Sequence, residues 1–300
     1  MSVKAIICSL LAVGASAQQV GHYLQGASGL GSAAPLPPGA YVTYFPYLSS
    51  VTSVKGPDGG TVLPANINIW ANMAAVTFMV PGTAKGWSFG FSVLAPWMSQ
   101  RLQADILPQP IDRRTTGLSD LMVTPFMFGY TKGQTSVVGN YIFVAPTGSY
   151  NPASAANPGL GMWTHIFQLG TATNFGGPKM FNASVMSTWE VHSKKQGTDI
   201  QVGPGVTIEP AIGKRFRKGL INIGASGHYY QKLEADSGTG IRPAVRGLKD
   251  RAFGVGPELQ WIFPAAKMAF TFRYQPQFEV RNRTRSDIFV VNLTYLGTFH

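Results

Sequence analysis

Between Gly197 and Gly213 the chain alternates apolar with polar or small residues at every step. Ile200, Val202, Pro204, Val206, Ile208, Pro210 and Ile212 fall on one side of an extended strand, and Gln201, Gly203, Gly205, Thr207, Glu209, Ala211 and Gly213 on the other. A period of two puts successive side chains on opposite faces, so the two sets meet unlike surroundings. A strand in a soluble sheet turns after about 5–6 residues, whereas a tilted strand crossing a bilayer needs about 9–11. The length of the alternation points to a transmembrane β-barrel. Two prolines weaken the ladder locally without shifting the pattern.

The same period recurs along the chain. Trp87, Phe89, Phe91, Val93, Ala95 and Trp97 share one face, with a Trp at each end where the two interfacial aromatic girdles of a barrel lie. Phe181 to Val191, Phe253 to Phe263, Met268 to Phe278 and Phe289 to Tyr295 alternate likewise, whereas Tyr41 to Leu48 and Ser119 to Tyr130 are mixed on both faces. From Ala40 onward the pattern predicts about twelve strands, a usual number for an antiparallel up-and-down barrel. Every second connection is short: Pro81 to Gly86, Lys132 to Gln134, Gly176 to Lys179, Lys214 to Gly219 and Pro264 to Lys267. Long connections intervene at Ser50 to Ala65, Ser99 to Gly117, Thr147 to Leu160 and Leu233 to Arg251, with shorter ones near Lys194 to Gly197 and Arg283 to Ser286. Short periplasmic turns and long external loops give this parity when both ends of the barrel face the periplasm.

The ends of the chain predict export to the outer membrane of a Gram-negative cell. Met1 to Ala17 carries Lys4, an apolar run from Ala5 to Val13 and the small residues Ala15-Ser16-Ala17, the layout of a secretory signal cleaved after Ala17. The single cysteine, Cys8, leaves with that signal, so neither a disulfide nor a thiolate metal site is expected. The chain finishes Leu296-Gly297-Thr298-Phe299-His300, which resembles the aromatic terminal signal read by the barrel-assembly machinery, displaced by one residue. Charged residues make up 12% of the chain, against about 25% in soluble domains, yet no apolar run reaches the about 18 residues of a membrane helix. Lipid-facing strands reconcile the two, because they raise apolar content without a continuous apolar segment. A soluble sandwich explains neither the charge deficit nor the parity of the connections.

The chain carries 24 Lys and Arg against 13 Asp and Glu. The basic residues gather in short connections such as Lys214-Arg215-Phe216-Arg217-Lys218, without RNP-like or zinc-finger spacing, so nucleic acid is not an expected partner. Outer-membrane lipid and the phosphates of lipopolysaccharide are.

Parity assigns an interior face as well. Asn68, Asn72, Glu190, His192, Glu209, His228, Glu258, Arg273, Glu279 and Arg281 are expected to line the lumen, together with Asn66, Gln201, Gln260, Gln275 and Gln277. They form either a polar path that orients a solute or a filled interior in which charges pair, since an unpaired buried charge is costly. Gln18 to Gly39 is rich in Gly, Ala, Ser and Pro, shows no periodicity, and is either a lumen plug or a periplasmic leader. As a plug it would close an apolar constriction with Tyr23 and Leu24. In the long loops, Arg101, Arg113 and Arg114, and then Arg242, Arg246, Lys249 and Arg251, are candidates for lipopolysaccharide contact or for capture of an anionic solute. Barrel lipases and deacylases hold a nucleophilic Ser beside a His base. Their His-x-Ser spacing is missing from His165-Ile166-Phe167, His192-Ser193-Lys194 and His228-Tyr229-Tyr230, and the histidines show no metal-ligand spacing. The expectation is a protein that is not an enzyme and has neither cofactor nor metal.

A family resemblance adds to this. Gly21-His22-Tyr23-Leu24, then Pro37-Pro38-Gly39-Ala40-Tyr41, Gly117-Leu118-Ser119-Asp120, Pro146-Thr147-Gly148-Ser149-Tyr150 and Gly254-Val255-Gly256-Pro257 follow in the order seen in the meta-pathway phenol-degradation family of outer-membrane proteins. The chain resembles that family over nearly all of its mature length. The resemblance implies a barrel of about this strand number and a role in passing small hydrophobic, in particular aromatic, compounds. It brings no defined site residues. The expected domain plan is a signal at 1–17, a leader or plug at 18–39 and a barrel at 40–300, monomeric or weakly oligomeric. The function expected is passive uptake or capture of such compounds; the alternative is a non-conducting structural or adhesive barrel.

Overall fold

The computed structural model describes residues 20–298 except 83, 105–110, 155–156, 178–179, 242 and 244. The expected signal at 1–17, and Phe299 and His300, lie outside the described residues. The chain forms a single all-antiparallel sheet that closes on itself. Its strands are β1 (Gly39–Lys55), β2 (Thr61–Pro81), β3 (Trp87–Ala104), β4 (Ile111–Leu118), β5 (Leu121–Lys132), β6 (Thr135–Ala145) and β7 (Thr164–Phe175). They continue with β8 (Phe181–His192), β9 (Gly205–Phe216), β10 (Ile221–Lys232), β11 (Arg251–Phe263), β12 (Met268–Arg281) and β13 (Thr284–Thr298). Sequence neighbours pair throughout except β4 and β5, and β13 returns to β1 through Gly39↔Thr298. β4 and β5 both pair with β3, one above the other, so they are one stave broken at Ser119-Asp120 and the barrel has twelve staves.

Short turns and both ends of the barrel chain share one rim, which is the periplasmic end in a barrel of this class. The turns after β9 and β11 are tight enough to put Arg217, Lys218 and Lys267 at positive φ. The wall is inside-out relative to a soluble protein. Trp87, Phe89, Phe91, Val93 and Trp97 are all exposed on the outer surface, as are Phe181, Trp189, Phe253, Trp261 and Leu293. Charged and amide side chains are buried inside, among them Glu190, Glu209, Glu258, Arg273 and Gln275. No described helix is long and apolar enough to cross a membrane, and this chain crosses with strands. It is an integral outer-membrane barrel.

The structure corrects three local expectations. Ser50 to Ala65 is paired strand apart from 56–60, and the described residues of Ser99 to Gly117 are paired strand, with 105–110 outside the described residues. β1, β2 and β3 run to 17, 21 and 18 residues, well past the about 9–11 that cross a bilayer, so these hairpins stand above the outer surface. Val51, Val54, Thr61 and Val62 suit an extended backbone, and Asp58 closes the tight turn by accepting from the Gly60 N–H at 2.9 Å. The alternation at Gly197 to Gly213 belongs to β9 only from Gly205; Ile200 and Val202 sit in the preceding loop, where Gln201 bridges to Lys194 and Ser237. The mixed character of Ser119 to Tyr130 has a cause: β5 bulges around Thr124-Pro125, where pairing with both neighbours shifts register.

Candidate functional site

The residues from His22 to Pro38 run down the inside of the barrel, from the outer end to the periplasmic rim. His22 meets Asp120 and Thr164 at the top of the wall. Tyr23 and Gly26 lie at Glu209, Leu30 at Glu258, and the carbonyl of Pro37 accepts from Tyr41 Oη near the first residues of β1 at 2.6 Å. Tyr23, Leu30 and Ala33 are buried.

The wall facing this segment is polar along β8 to β12. Glu190 accepts from the Tyr23 N–H at 3.2 Å. Glu209 accepts from the Tyr23 hydroxyl and from the backbone N–H groups of Gly26 and Ser28, at 2.8 and 3.3 Å. Glu258 accepts from the Leu30 N–H at 3.1 Å and is held bidentately by Arg273, at 2.9 and 2.8 Å. Arg273 Nη1 donates to the carbonyls of Gly26 and Ala27. Gln275 joins His228 Nδ1 to Ser226, and Gln277 reaches His228 Nε2. Buried charges thus have partners from both wall and segment, which lowers the cost of taking them out of water.

The opposite wall is apolar. Tyr47, Ala71, Met73, Ile288 and Val290 form a buried cluster on β1, β2 and β13, with Leu24, Phe45, Leu94 and Met98 packed against it. The lumen therefore has two unlike sides, a carboxylate-rich one and an aliphatic, thioether-rich one, and the segment lies between them.

The top of the segment is latched at Asp120. Its carboxylate accepts from His22 Nε2 at 2.9 Å, from the Gly148 N–H at 2.9 Å and from the Leu160 N–H at 2.6 Å. Burial on its own would raise this carboxyl's pKa, but those hydrogen bonds outweigh it and hold the group below its ordinary value. His22 Nδ1 then faces Thr164 Oγ1 at 2.7 Å, and the same oxygen faces His192 Nδ1 at 2.9 Å. The chain is satisfied throughout if His192 donates to Thr164, Thr164 to His22, and His22 to Asp120. Three of the short motifs that carry the family resemblance, those ending at Leu24, Asp120 and Tyr150, thus meet at one carboxylate.

Of the residues assigned to the lumen by parity, Glu190, His192, Glu209, His228, Glu258 and Arg273 are buried inside. Four are not. Asn68 and Asn72 share the outer face of β2 with the exposed Trp70, Val76 and Phe78, and Asn72 Oδ1 accepts from the exposed Tyr44 hydroxyl at 2.7 Å. The sequence of β2 has small or apolar residues on both faces, so its polarity does not reveal which side is which. Glu279 and Arg281 face outward because pairing between β11 and β12 slips at Phe278, moving Val280 to the inside. There Glu279 pairs with Arg251 and lies 3.6 Å from Arg281.

A sequence profile for the family described as "Putative MetA-pathway of phenol degradation" matches residues 53–293. The chain belongs to this family. No curated protein matches it in sequence. Among solved structures, the COG4313 outer membrane channel from Pseudomonas putida F1 is similar with a TM-score of 0.75 at 15% identity, covering 89% of this chain and 99% of that one. The β domain of the Bordetella autotransporter BrkA gives 0.52 at 10% identity over 87% of this chain and 99% of that chain. The translocator domain of NalP from Neisseria meningitidis gives 0.50 at 9% over 86% and 88%. At these identities the likeness is one of fold, an outer-membrane β-barrel.

The loop candidates scatter. Arg101 and Arg114 are directly opposed in the β3–β4 hairpin and exposed, with Arg113 beside them in the ladder opposite Leu102, so they belong to strand rather than loop. Arg242 lies outside the described residues; Arg246 is exposed and donates to the Ile241 carbonyl, and Arg251 opens β11. Both plug candidates lie in the lumen: Leu24 against the apolar cluster, Tyr23 as a hydrogen-bond donor rather than a purely apolar stop. Sequence reasoning missed Asp120, which reads as an ordinary loop-opening acid. It also missed the buried cluster of Lys232, Asp236, Asp250 and Arg283 that ties the β10–β11 loop to the rim. Spacing carries no signal for either, because their partners lie far away in the chain.

Proposed function

We propose that this protein is a passive outer-membrane channel for small hydrophobic, aromatic compounds, closed at rest by residues 20–38. The observation that carries the proposal is the two-sided lumen with a removable segment in it. The segment contributes no strand to the sheet, and its described contacts with the wall are hydrogen bonds and packing. With it displaced, the cluster around Met73, Met98 and Ile288 offers an aromatic ring an apolar track, while Glu209, Glu258 and Arg273 orient a hydroxyl or carboxyl on its other side. Passage needs no energy source. The family description and the fold of the Pseudomonas channel support a transport role, and no bond is made or broken in it. In this reading the exposed Arg114 and Arg246 at the outer end meet lipopolysaccharide phosphates.

The test is uptake by vesicles holding the refolded mature protein, with phenols and aromatic acids against a sugar of similar size. Saturable entry of the aromatic compounds, slowed when Met73→Asp makes the track polar, is expected. Uptake equal to protein-free vesicles, both for the full chain and for a folded chain lacking residues 18–38, would overturn the channel and leave a structural barrel.

A further inference from the structure

The charges of this barrel are sorted by end. Among the described residues, no Asp or Glu lies in a periplasmic turn or beside one; the lowest is Glu258, midway down the lumen and already paired with Arg273. The periplasmic rim carries only Lys and Arg. Lys85 and Lys132 are exposed on the turns after β3's partner β2 and after β5, and Arg217, Lys218 and Lys267 on those after β9 and β11. Among the described residues no ion pair involves any of them. This reassigns the densest basic run of the sequence, Lys214 to Lys218: it faces the periplasmic leaflet, away from lipopolysaccharide.

Beside that rim the outer wall is grooved. Trp261, Phe263, Met268, Phe270 and Leu293 line an apolar recess of about 470 Å³ with no polar surface, open to the membrane. Trp261 and Phe263 stack at 4.5 Å to form one side of it. Lys267 stands on the turn that joins two of the lining strands, and the Arg217-Lys218 turn is its neighbour, joined where the Ile262 N–H donates to the Leu220 carbonyl at 2.8 Å. Three exposed cations, with no carboxylate among the described residues of their turns, therefore stand on the turns that border a slot shaped for hydrocarbon. A second apolar recess, about 390 Å³ between Phe78, Phe89 and Phe126, sits above Lys85 and Lys132 on the other side of the barrel.

We propose that the recess at Trp261 and Phe270 is a binding site for an anionic phospholipid of the periplasmic leaflet. One acyl chain lies in the groove, and the headgroup phosphate is held by Lys267, Arg217 and Lys218. The chemistry selects this occupant on both counts. A zwitterionic lipid fits the groove and brings a phosphate, but adds an ammonium group beside three cations and so compensates them less than a net-anionic headgroup. A soluble acidic protein answers the cations but leaves the groove open. All three basic residues are exposed on tight turns at positive φ, outside the strand ladders and at the level of the headgroup layer. The neighbouring Lys214 shows the alternative fate of a cation at this depth, folded back 5.6 and 5.4 Å from the Phe181 and Phe216 ring centres.

Native mass spectrometry of the purified barrel with dioleoyl phosphatidylglycerol and dioleoyl phosphatidylethanolamine reads this directly. One phosphatidylglycerol should be retained in preference to phosphatidylethanolamine. In Arg217→Asn/Lys218→Asn/Lys267→Asn, where Asn keeps the left-handed turns, the preference should fall by about tenfold or more. Leu293→Trp, which fills the groove and leaves the charges, should lower retention as well. Heat-modifiable mobility in gels establishes that each variant is folded. Equal retention of the two lipids, or a preference indifferent to the triple change, would overturn the site. So would a preference lost with the charges and untouched by Leu293→Trp, which would mean the rim attracts anions without seating a lipid chain.

Discussion

A methyl group at Gly29 should open the lumen. A Cβ built there falls inside van der Waals contact of both Arg273 Nη2 and Glu258 Oε2, the two halves of the buried pair. Neither can retreat freely, since Arg273 is also committed to the Gly26 and Ala27 carbonyls and Glu258 to the Leu30 N–H. Overpacking of this kind costs about 1–3 kcal/mol. In a barrel strand that cost would fall on the whole fold. Here it can be relieved by the segment leaving, so Gly29→Ala should raise the open population by about 5- to 150-fold at 1.4 kcal/mol per tenfold. Hydrogen–deuterium exchange separates the two outcomes: peptides covering 20–38 should lose protection by that factor while those from β8 to β12 keep theirs. Entry of aromatic solutes into vesicles should rise in parallel. Gly177→Ala, at a periplasmic turn where an added Cβ meets nothing within 4 Å, is the matched control. Unchanged exchange at 20–38 in folded Gly29→Ala would refute the tight fit, and equal loss of protection across the strands would refute a separable segment.

Two further outcomes follow from the same wall. Arg273→Met strands the Glu258 carboxylate with only the Leu30 N–H and should destabilise the folded barrel by about 3–5 kcal/mol, read from the urea midpoint in detergent; adding Glu258→Gln should restore part of it. At the latch the sign runs the other way from a histidine switch. Asp120 is held below its ordinary pKa, so its contribution is complete above the unfolded value near about pH 4 and disappears only as pH falls through the lower folded-state value. Pepsin should therefore spare the 146–160 loop at about pH 4 and cut it in stronger acid, whereas Asp120→Asn should be cut at both.

The barrel was legible in the sequence because its determinants are local. A strand's outer face must be apolar wherever lipid touches it, so Phe181 to Val191 or Phe289 to Tyr295 declares its period without reference to any other strand. What failed to show was whatever depends on register. The slip at Phe278 reverses the inside and outside of Glu279 and Arg281, and a bulge leaves no mark in a stretch where both faces carry polar residues. β2 fails for the opposite reason: Ala71, Met73 and Met79 on its inner face are as apolar as a lipid-facing row, so Asn68 and Asn72 looked like the interior. That same apolar inner face is what gives the lumen its second character, and the functional feature and the misassignment have one origin.

The composition of the amino-terminal segment follows from the wall it meets. Midway along the polar wall three carboxylates, Glu190, Glu209 and Glu258, face the Arg273 guanidinium, an excess of acceptors over donors, while Arg283 nearer the outer rim meets Gln25. A backbone can supply the missing donors as N–H groups, but only if it comes close enough to reach carboxylates anchored on strands. Side chains would hold it off. At Gly21 a Cβ would collide with the Glu190 carboxylate, and at Gly29 with the Glu258–Arg273 pair. The Gly, Ser and Ala content that reads as lack of structure in isolation is thus the condition for backbone contact with this wall, in a segment that carries no charge of its own to compete for it. A plug built this way holds through many individually modest hydrogen bonds and no ladder, which makes it removable in steps. A denser, more strongly charged segment would bind the same wall at the expense of the opening that transport requires.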